Sequence, residues 1–341
     1  MPNPLEAGPR IENVSPVAAI PGGDIFIRGN GFESSNSTLP SVRFGQAQGN
    51  ILLWSEQLVV ARVPEDAEAG VSIETGHGRS DTVAFALGRV VAENLHPVAN
   101  PAIDSDGNTY VTFSGQRGQK VAVPLYKISP DFTVKPLAVQ LTNPTGLAFD
   151  PEGNLMVSCR NDGTIHRIGP DGHIEKWIEG MGIATGLAFD REGNLYVGDR
   201  SGTIFKISPQ REILVFATLE PSISAYHLAF SPEGDLYVTG PTTSSFDRIH
   251  RISHAGAVSV FFRGLGRPQG MAFDRSGNLL VVASLGGRRG VVRLSPDGRA
   301  TLLLTGYGLV GMALLSRRAI LASNSSLYSI EWDIDGLPLG R

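Results

Sequence analysis

Few residues in this chain combine a reactive type with a spacing that chemistry needs. His227, with Tyr226 before it, is the histidine best placed for proton transfer, because an imidazole titrates near neutrality and a neighbouring phenol can assist. Asp104, Asp106 and Asn108 in DSDGN look like the start of a calcium loop. No bidentate Glu stands downstream, and sister segments read PEG, REG and RSG in the same slot, so capping of a tight turn explains the Asp better. His250 and His254 are four apart, but a strand and then a turn separate them, which denies them the shared helix face of a metal pair. GLGRPQG (264–270) has its glycines misplaced for a dinucleotide fingerprint, and no G-x-S-x-G elbow occurs. Cys159 is the only cysteine, which excludes an intramolecular disulfide and a multi-cysteine zinc site, and without an evident base beside it the thiol reads as inert.

Cations are better represented. Arg117, Lys120, Arg160, Arg200, Arg248, Arg267, Arg288 and Arg289 lie in segments of variable length and sequence, against Asp162, Asp199 and Asp247. That balance suits an anionic partner, either a small carboxylated molecule or an acidic protein loop.

The elements that must position these residues come from a repeat. The phrases AIDSDGNTYV (102–111), LAFDPEGNLMV (147–157), LAFDREGNLYV (187–197), LAFSPEGDLYV (228–238) and MAFDRSGNLLV (271–281) are copies of one another, and MALLSRRAILA (312–322) is a degenerate sixth. Their shared glycines, Gly107, Gly153, Gly193, Gly234 and Gly277, with Arg318 in the last slot, are spaced by 46, 40, 41, 43 and 41 residues. That period fits a four-stranded propeller blade. One sheet alone would leave both faces wet, whereas six stacked radially bury each face against a neighbour. The sixth copy has little chain left for an outer strand, and RVVAE (89–93) resembles the outer strands of the others, so this segment is predicted to close the last blade. In such a blade the first and third turns share one end. Here they are the tight turn-formers DPEGN, DREGN, GPDG and SPDG, while the variable arginine-bearing loops, SGQRGQKVAVP (114–124) and TGPTTSSFDR (239–248) among them, share the other.

Residues 9–87 break the period and read as short strands at sandwich spacing, in 9–32, 41–45, 58–64, 71–80 and 82–87. The expected fold is therefore all-β: an N-terminal immunoglobulin-like β-sandwich (9–87), then a six-bladed β-propeller of four-stranded blades (89–341). With 41 Gly, 22 Pro and 18% charged residues, the composition agrees with a turn-rich β protein. A net charge of -4 argues against charge-driven binding to nucleic acid. No stretch is apolar for 18 residues and the start lacks a basic and apolar leader, so no membrane span is expected and the compartment stays open between cytoplasm and export.

The Pro16, Gly22-Gly23, Gly29-Asn30-Gly31-Phe32, Phe44-Gly45 and Val63-Pro64 pattern resembles the IPT/TIG family of immunoglobulin-like domains, whose members serve as spacers or interaction modules. The GLAFD, EGNLYV, GTIFKIS and SPDG phrases resemble the propeller superfamily that joins NHL-repeat proteins to senescence marker protein and gluconolactonase-like lactonases. In the lactonase branch the resemblance implies a divalent cation, often calcium, held at the hub by Glu, Asn and Asp just before several inner strands. The corresponding positions here are Ala99, Thr145, Thr185, Tyr226, Gln269 and Val310, and a shift of one residue brings in Asn100 and His227. None is a carboxylate, so no cofactor is expected. The sequence then points to a binding or scaffold propeller for a small anionic ligand or a protein. Its candidate contacts are Asn100, Thr145, Thr185 and Gln269 at the hub and Arg117, Arg160, Arg200, Arg248, Arg267 and Arg288 on the loop-rich end, with His227 and Tyr226 as candidate catalytic groups. The alternative is a gluconolactonase-like, calcium-dependent hydrolase of lactones or esters.

Overall fold

The computed structural model describes residues 8–33, 40–243 and 247–337. Among them all regular structure is β, and no helix is long and apolar enough to cross a membrane. The chain divides into two compact units, one of residues 1–89 with 288–291 and 302–307, the other of residues 90–287, 292–301 and 308–341.

The first unit is an immunoglobulin-like sandwich. One sheet runs Arg10–Ser15, Asp24–Asn30, Leu58–Arg62, Asn50–Trp54, and the other Ala47–Gln48, Ser41–Phe44, Ser72–Thr75, Gly78–Arg79. Period-2 alternation sends Ile25 and Ile27, Val59 and Ala61, and Val42 and Phe44 into a shared core with no exposed surface. The strand Asn50–Trp54 has no counterpart in the sequence reading, because Leu52 and Leu53 stay exposed and a register shift at Ile51/Leu53 breaks the alternation. Of the expected strand 82–87 only Ala86–Leu87 forms, in parallel with Ala18–Ala19. Within this unit Ala18–Ala19 also pairs with Leu304–Thr305.

The propeller consists of six blades, five of them four-stranded antiparallel sheets and one, blade 5, four antiparallel strands within a six-stranded sheet. Blades 1 to 5 occupy residues 102–136, 144–178, 184–218, 227–265 and 271–305. The sixth takes Leu309–Leu315, Arg318–Ser323 and Leu327–Glu331, and its fourth, outer strand is Arg89–Ala92, as the repeat arithmetic requires.

Two features of the repeated phrase explain why it recurs. The first is a turn clamp: the Asp150 carboxylate accepts the Asn154 backbone N–H at 2.7 Å and its side-chain amide at 2.8 Å, around Gly153 at φ 85°. Asp104 with Asn108, Asp190 with Asn194, and Asp274 with Asn278 repeat it. Asp104 is therefore fully engaged in its own turn. The second is a seam between blades, where the Tyr of one copy meets the Phe of the next edge to face. Tyr110–Phe149, Tyr196–Phe230 and Tyr237–Phe273 have centroids 5.3, 5.0 and 4.9 Å apart. Blade 6 has neither feature; Leu315 pairs directly with Arg318 across a two-residue turn with Ser316 at φ 50°.

Candidate functional site

At the hub, a cavity of about 170 Å³ is lined by Asn100, Gly146, Ala148, Gly186, Ala188 and His227, among others. This row lies one residue beyond Thr145, Thr185, Tyr226 and Gln269, the positions carried over by resemblance. In blades 2 and 3 a register shift at the start of the inner strand, between Pro144 and Leu147 and between Ala184 and Leu187, accompanies this offset. The carried-over residues face the sheet instead. The Thr145 hydroxyl donates to the Asn143 carbonyl at 3.2 Å, and the Thr185 hydroxyl donates to the Gly198 carbonyl at 2.8 Å while accepting the Tyr226 N–H. Tyr226 lies in space left by Gly198 and Gly240, its hydroxyl donating to the Glu220 carbonyl, with its pKa pushed up to about 12 by burial. The Gln269 carbonyl accepts from the Thr239 hydroxyl at 2.6 Å. Glycine is required in the row itself: a Cβ on Gly146 would lie 2.1 Å from the Thr185 carbonyl oxygen, and one on Gly186 2.4 Å from that of Tyr226.

The hub does not fit a hard dication. Asn100 donates to the Met271 carbonyl at 3.0 Å and accepts the Met312 N–H at 3.1 Å, so both ends of its amide stitch neighbouring blades. His227, 2% exposed, offers an imidazole and no charge of the right sign. Among the described residues no three His, Cys, Asp or Glu side chains group as metal ligands.

The loop-rich end has a different chemistry. Asn143, fully buried at φ 51°, holds blades 1 and 2 together: its amide donates to the Ser114 and Gln116 carbonyls at 2.6 Å, and its carbonyl accepts the Gly118 N–H at 2.6 Å. Arg160 reaches the same loop, Nη2 donating to the Gly115 carbonyl at 2.9 Å. Arg200 does the equivalent one blade on, donating to the Ser222 and Ile223 carbonyls at 3.3 and 2.6 Å. Burial holds the Arg160 pKa below its ordinary value, and the like charges of Arg200 and Arg117 lower it further. Arg160 Nε and Ser114 Oγ are buried with no hydrogen-bond partner among the described residues, as is Nδ1 of His96, whose backbone bridges to the neighbouring Phe113. An orphaned buried donor costs about 1–3 kcal/mol.

The aspartates counted against these cations are engaged in their own loops. Asp162 accepts from Thr164, Asp199 from the Ile183 and Ser201 N–H groups, and Asp247 from Thr242. No ion pair reaches Arg117, Arg160 or Arg200 among the described residues.

The other three arginines are placed apart. Arg248 is exposed opposite Arg263, and Arg267 is exposed at φ 44°; residues 244–246 of the loop before Arg248 lie outside the described residues. Arg288 stacks over the Phe26 ring at 4.5 Å within the first unit, a cation–π contact that removes it from the rim. Sequence reasoning missed Ser114, Asn143 and His96 because their roles depend on partners distant in sequence; the positive φ of a residue preceding Pro144 was not legible. It also missed a neighbour of Cys159: the thiol lies 3.7 Å from His166 Nδ1 across a strand pair. Burial pushes the thiol up to about 12 and the imidazole down, so neither group is charged at neutral pH.

Fold and sites define an all-β protein, an immunoglobulin-like domain preceding a six-bladed propeller. Residues 9–87 match the IPT/TIG domain, and residues 139–166 match the WD domain, G-beta repeat. No curated protein matches the chain. Solved structures share the fold. A gluconolactonase of Xanthomonas campestris is 18% identical, covers 72% of this chain and 90% of its own, and superposes with a TM-score of 0.58. An auxiliary nutrient binding protein of Bacteroides ovatus is 13% identical over 96% of this chain and 98% of its own, with a TM-score of 0.54. The virginiamycin B lyase of Staphylococcus aureus, solved with quinupristin, is 14% identical over 97% of each chain, with a TM-score of 0.53.

Proposed function

We propose that this protein is a binding propeller that takes a small carboxylated molecule on its loop-rich end, over blades 1 to 3, with Arg160 as the central contact and Arg117 and Arg200 flanking it. The observation that carries this reading is Arg160 itself: a half-buried guanidinium with a buried, unpartnered Nε, two like charges nearby and every neighbouring aspartate engaged elsewhere. An arriving carboxylate would meet the accessible part of the half-buried guanidinium and relieve the like-charge repulsion. The likeness to a gluconolactonase supports a shared fold, and the donor set at the hub speaks against calcium-assisted hydrolysis by this chain.

Calorimetric titration with a sugar carboxylate such as glucuronate, beside glucose as the neutral control, tests the reading. The carboxylate binds, glucose does not, affinity falls with added salt, and Arg160→Gln weakens binding about tenfold or more. Equal affinity for acid and sugar, or an indifferent Arg160→Gln, would overturn it. Lactone turnover abolished by a chelator would favour the hydrolase instead.

A further inference from the structure

The cavity does not stop at the hub. From the Gly146, Gly186 and His227 row it continues outward along the seam between blades 3 and 4 and opens at the tight-turn end, away from the arginine loops. Its walls are about equally polar and apolar, the apolar part coming from Phe189, Tyr196, Phe216, Phe230 and Ile252, with Leu337 of the C-terminal segment alongside. That segment is tied down next to blade 5: Leu337 donates its N–H to the Phe273 carbonyl at 2.8 Å, and Arg275 donates its N–H to the Asp335 carbonyl at 2.9 Å.

Asp190, Glu192 and Glu233 contribute three carboxylates against the guanidinium of Arg191, which donates to the Pro232 carbonyl at 2.8 Å, and the ammonium of Lys206, which lies over the Tyr196 ring at 5.4 Å. Asp190 is clamped by Asn194, with Lys206 Nζ 3.7 Å away, whereas Glu192 and Glu233 are exposed at the mouth and join no ion pair among the described residues. His254 lines the same mouth, and His227 is buried further in. At about 170 Å³ over its whole length, hub included, the space holds at most one aromatic ring with a short substituent.

From this geometry we infer a second ligand site, for a compact arylalkylammonium: the ring enters between blades 3 and 4 and the ammonium stays at the mouth beside Glu192 and Glu233. The apolar part of the walls supplies burial, and the carboxylates select a cation over its neutral isostere. Small residues keep the space open. Ala188 lines the cavity in the inner strand of blade 3, and a larger side chain there would fill it.

The probes are 2-phenylethylammonium, its neutral isostere 2-phenylethanol and the anion phenylacetate, titrated by calorimetry into the intact chain. The ammonium binds about fivefold more tightly than the alcohol, and the double substitution Glu192→Gln with Glu233→Gln removes that preference. Ala188→Leu abolishes binding of both. These variants leave binding at the arginine loops unchanged, so failure here is distinguishable from failure of the carboxylate reading. Equal affinity for ammonium and alcohol in the parent protein, retained ammonium binding in Ala188→Leu, or no ammonium binding up to roughly 10 mM would each overturn the inference. Should Ala188→Leu not fold, the two surface glutamate substitutions decide the matter alone.

Discussion

The two ends of the propeller use the same side-chain type in the same way and arrive at opposite results. At the tight-turn end, Asp150, Asp190 and Asp274 close their own turns, and what surrounds them is acidic and self-sufficient. At the loop-rich end, Asp162, Asp199 and Asp247 also close their own loops, which leaves Arg117, Arg160 and Arg200 without carboxylate partners. The difference lies in what stands beside the aspartates. A turn that closes on itself every forty-odd residues occupies its own aspartate, whereas loops free to vary can accumulate cations whose natural partners are already occupied. Function is therefore best sought where local satisfaction is incomplete, and Arg160 Nε is such a place.

Alkaline titration should produce the largest effect, and both ends contribute: Cys159 and Tyr226 on the loop-rich side, and Tyr196, pushed well up by burial, at the tight-turn end. Burial pushes the Cys159 thiol up to about 12, well above its ordinary value, so the native state holds a proton that the unfolded chain releases. Stability is then fully present below about pH 9 and declines as pH rises toward 12, at about 1.4 kcal/mol per pH unit for each such group. Tyr226 adds to the slope between about 10 and 12. Urea unfolding at pH 8 and pH 11 measures the loss, and Cys159→Ala should make the decline shallower; an unchanged slope would break the assignment.

Gly146→Ala comes next, since its Cβ would lie 2.1 Å from a backbone oxygen of the next blade. A loss of about 3 kcal/mol in urea unfolding is expected. Asp150→Ala should cost about 2 kcal/mol, because it leaves two donors of the turn clamp unpaired. The comparison is sharpest for Arg160→Met: stability should change by less than about 1 kcal/mol, in either direction, while carboxylate binding is lost. A destabilisation as large as that of Asp150→Ala would mean that both ends are built for folding alone. Asp297→Ala, in an exposed outer turn, should leave the urea midpoint unchanged.

Legibility in the sequence followed the same divide. Blades 1 to 5 were readable because each Asp, Gly, Asn, Tyr and Phe of the phrase does a local or nearest-neighbour task, repeated at a fixed period. The closing strand was readable from what blade 6 lacked, and Arg89–Ala92 fills it. At the hub the sequence named both neighbouring rows, and of these Asn100 and His227 line the cavity while Thr145, Thr185 and Gln269 do not, an offset that an alternation of small apolar side chains does not reveal. Of the arginines, composition could count them but not group them. Arg288 stacks on Phe26, and only the fold brings Arg160 to the blade 1 loop at Gly115.

Ring closure through Arg89–Ala92 also orders events during synthesis. This strand leaves the ribosome long before Leu327–Glu331 exists to receive it, so until the end of the chain is made its backbone stays an open edge and blade 1 lacks its neighbour on one side. A nascent chain stalled before residue 327 would present that edge to other chains, which makes premature termination a route to aggregation and the final hairpin the step that commits the ring.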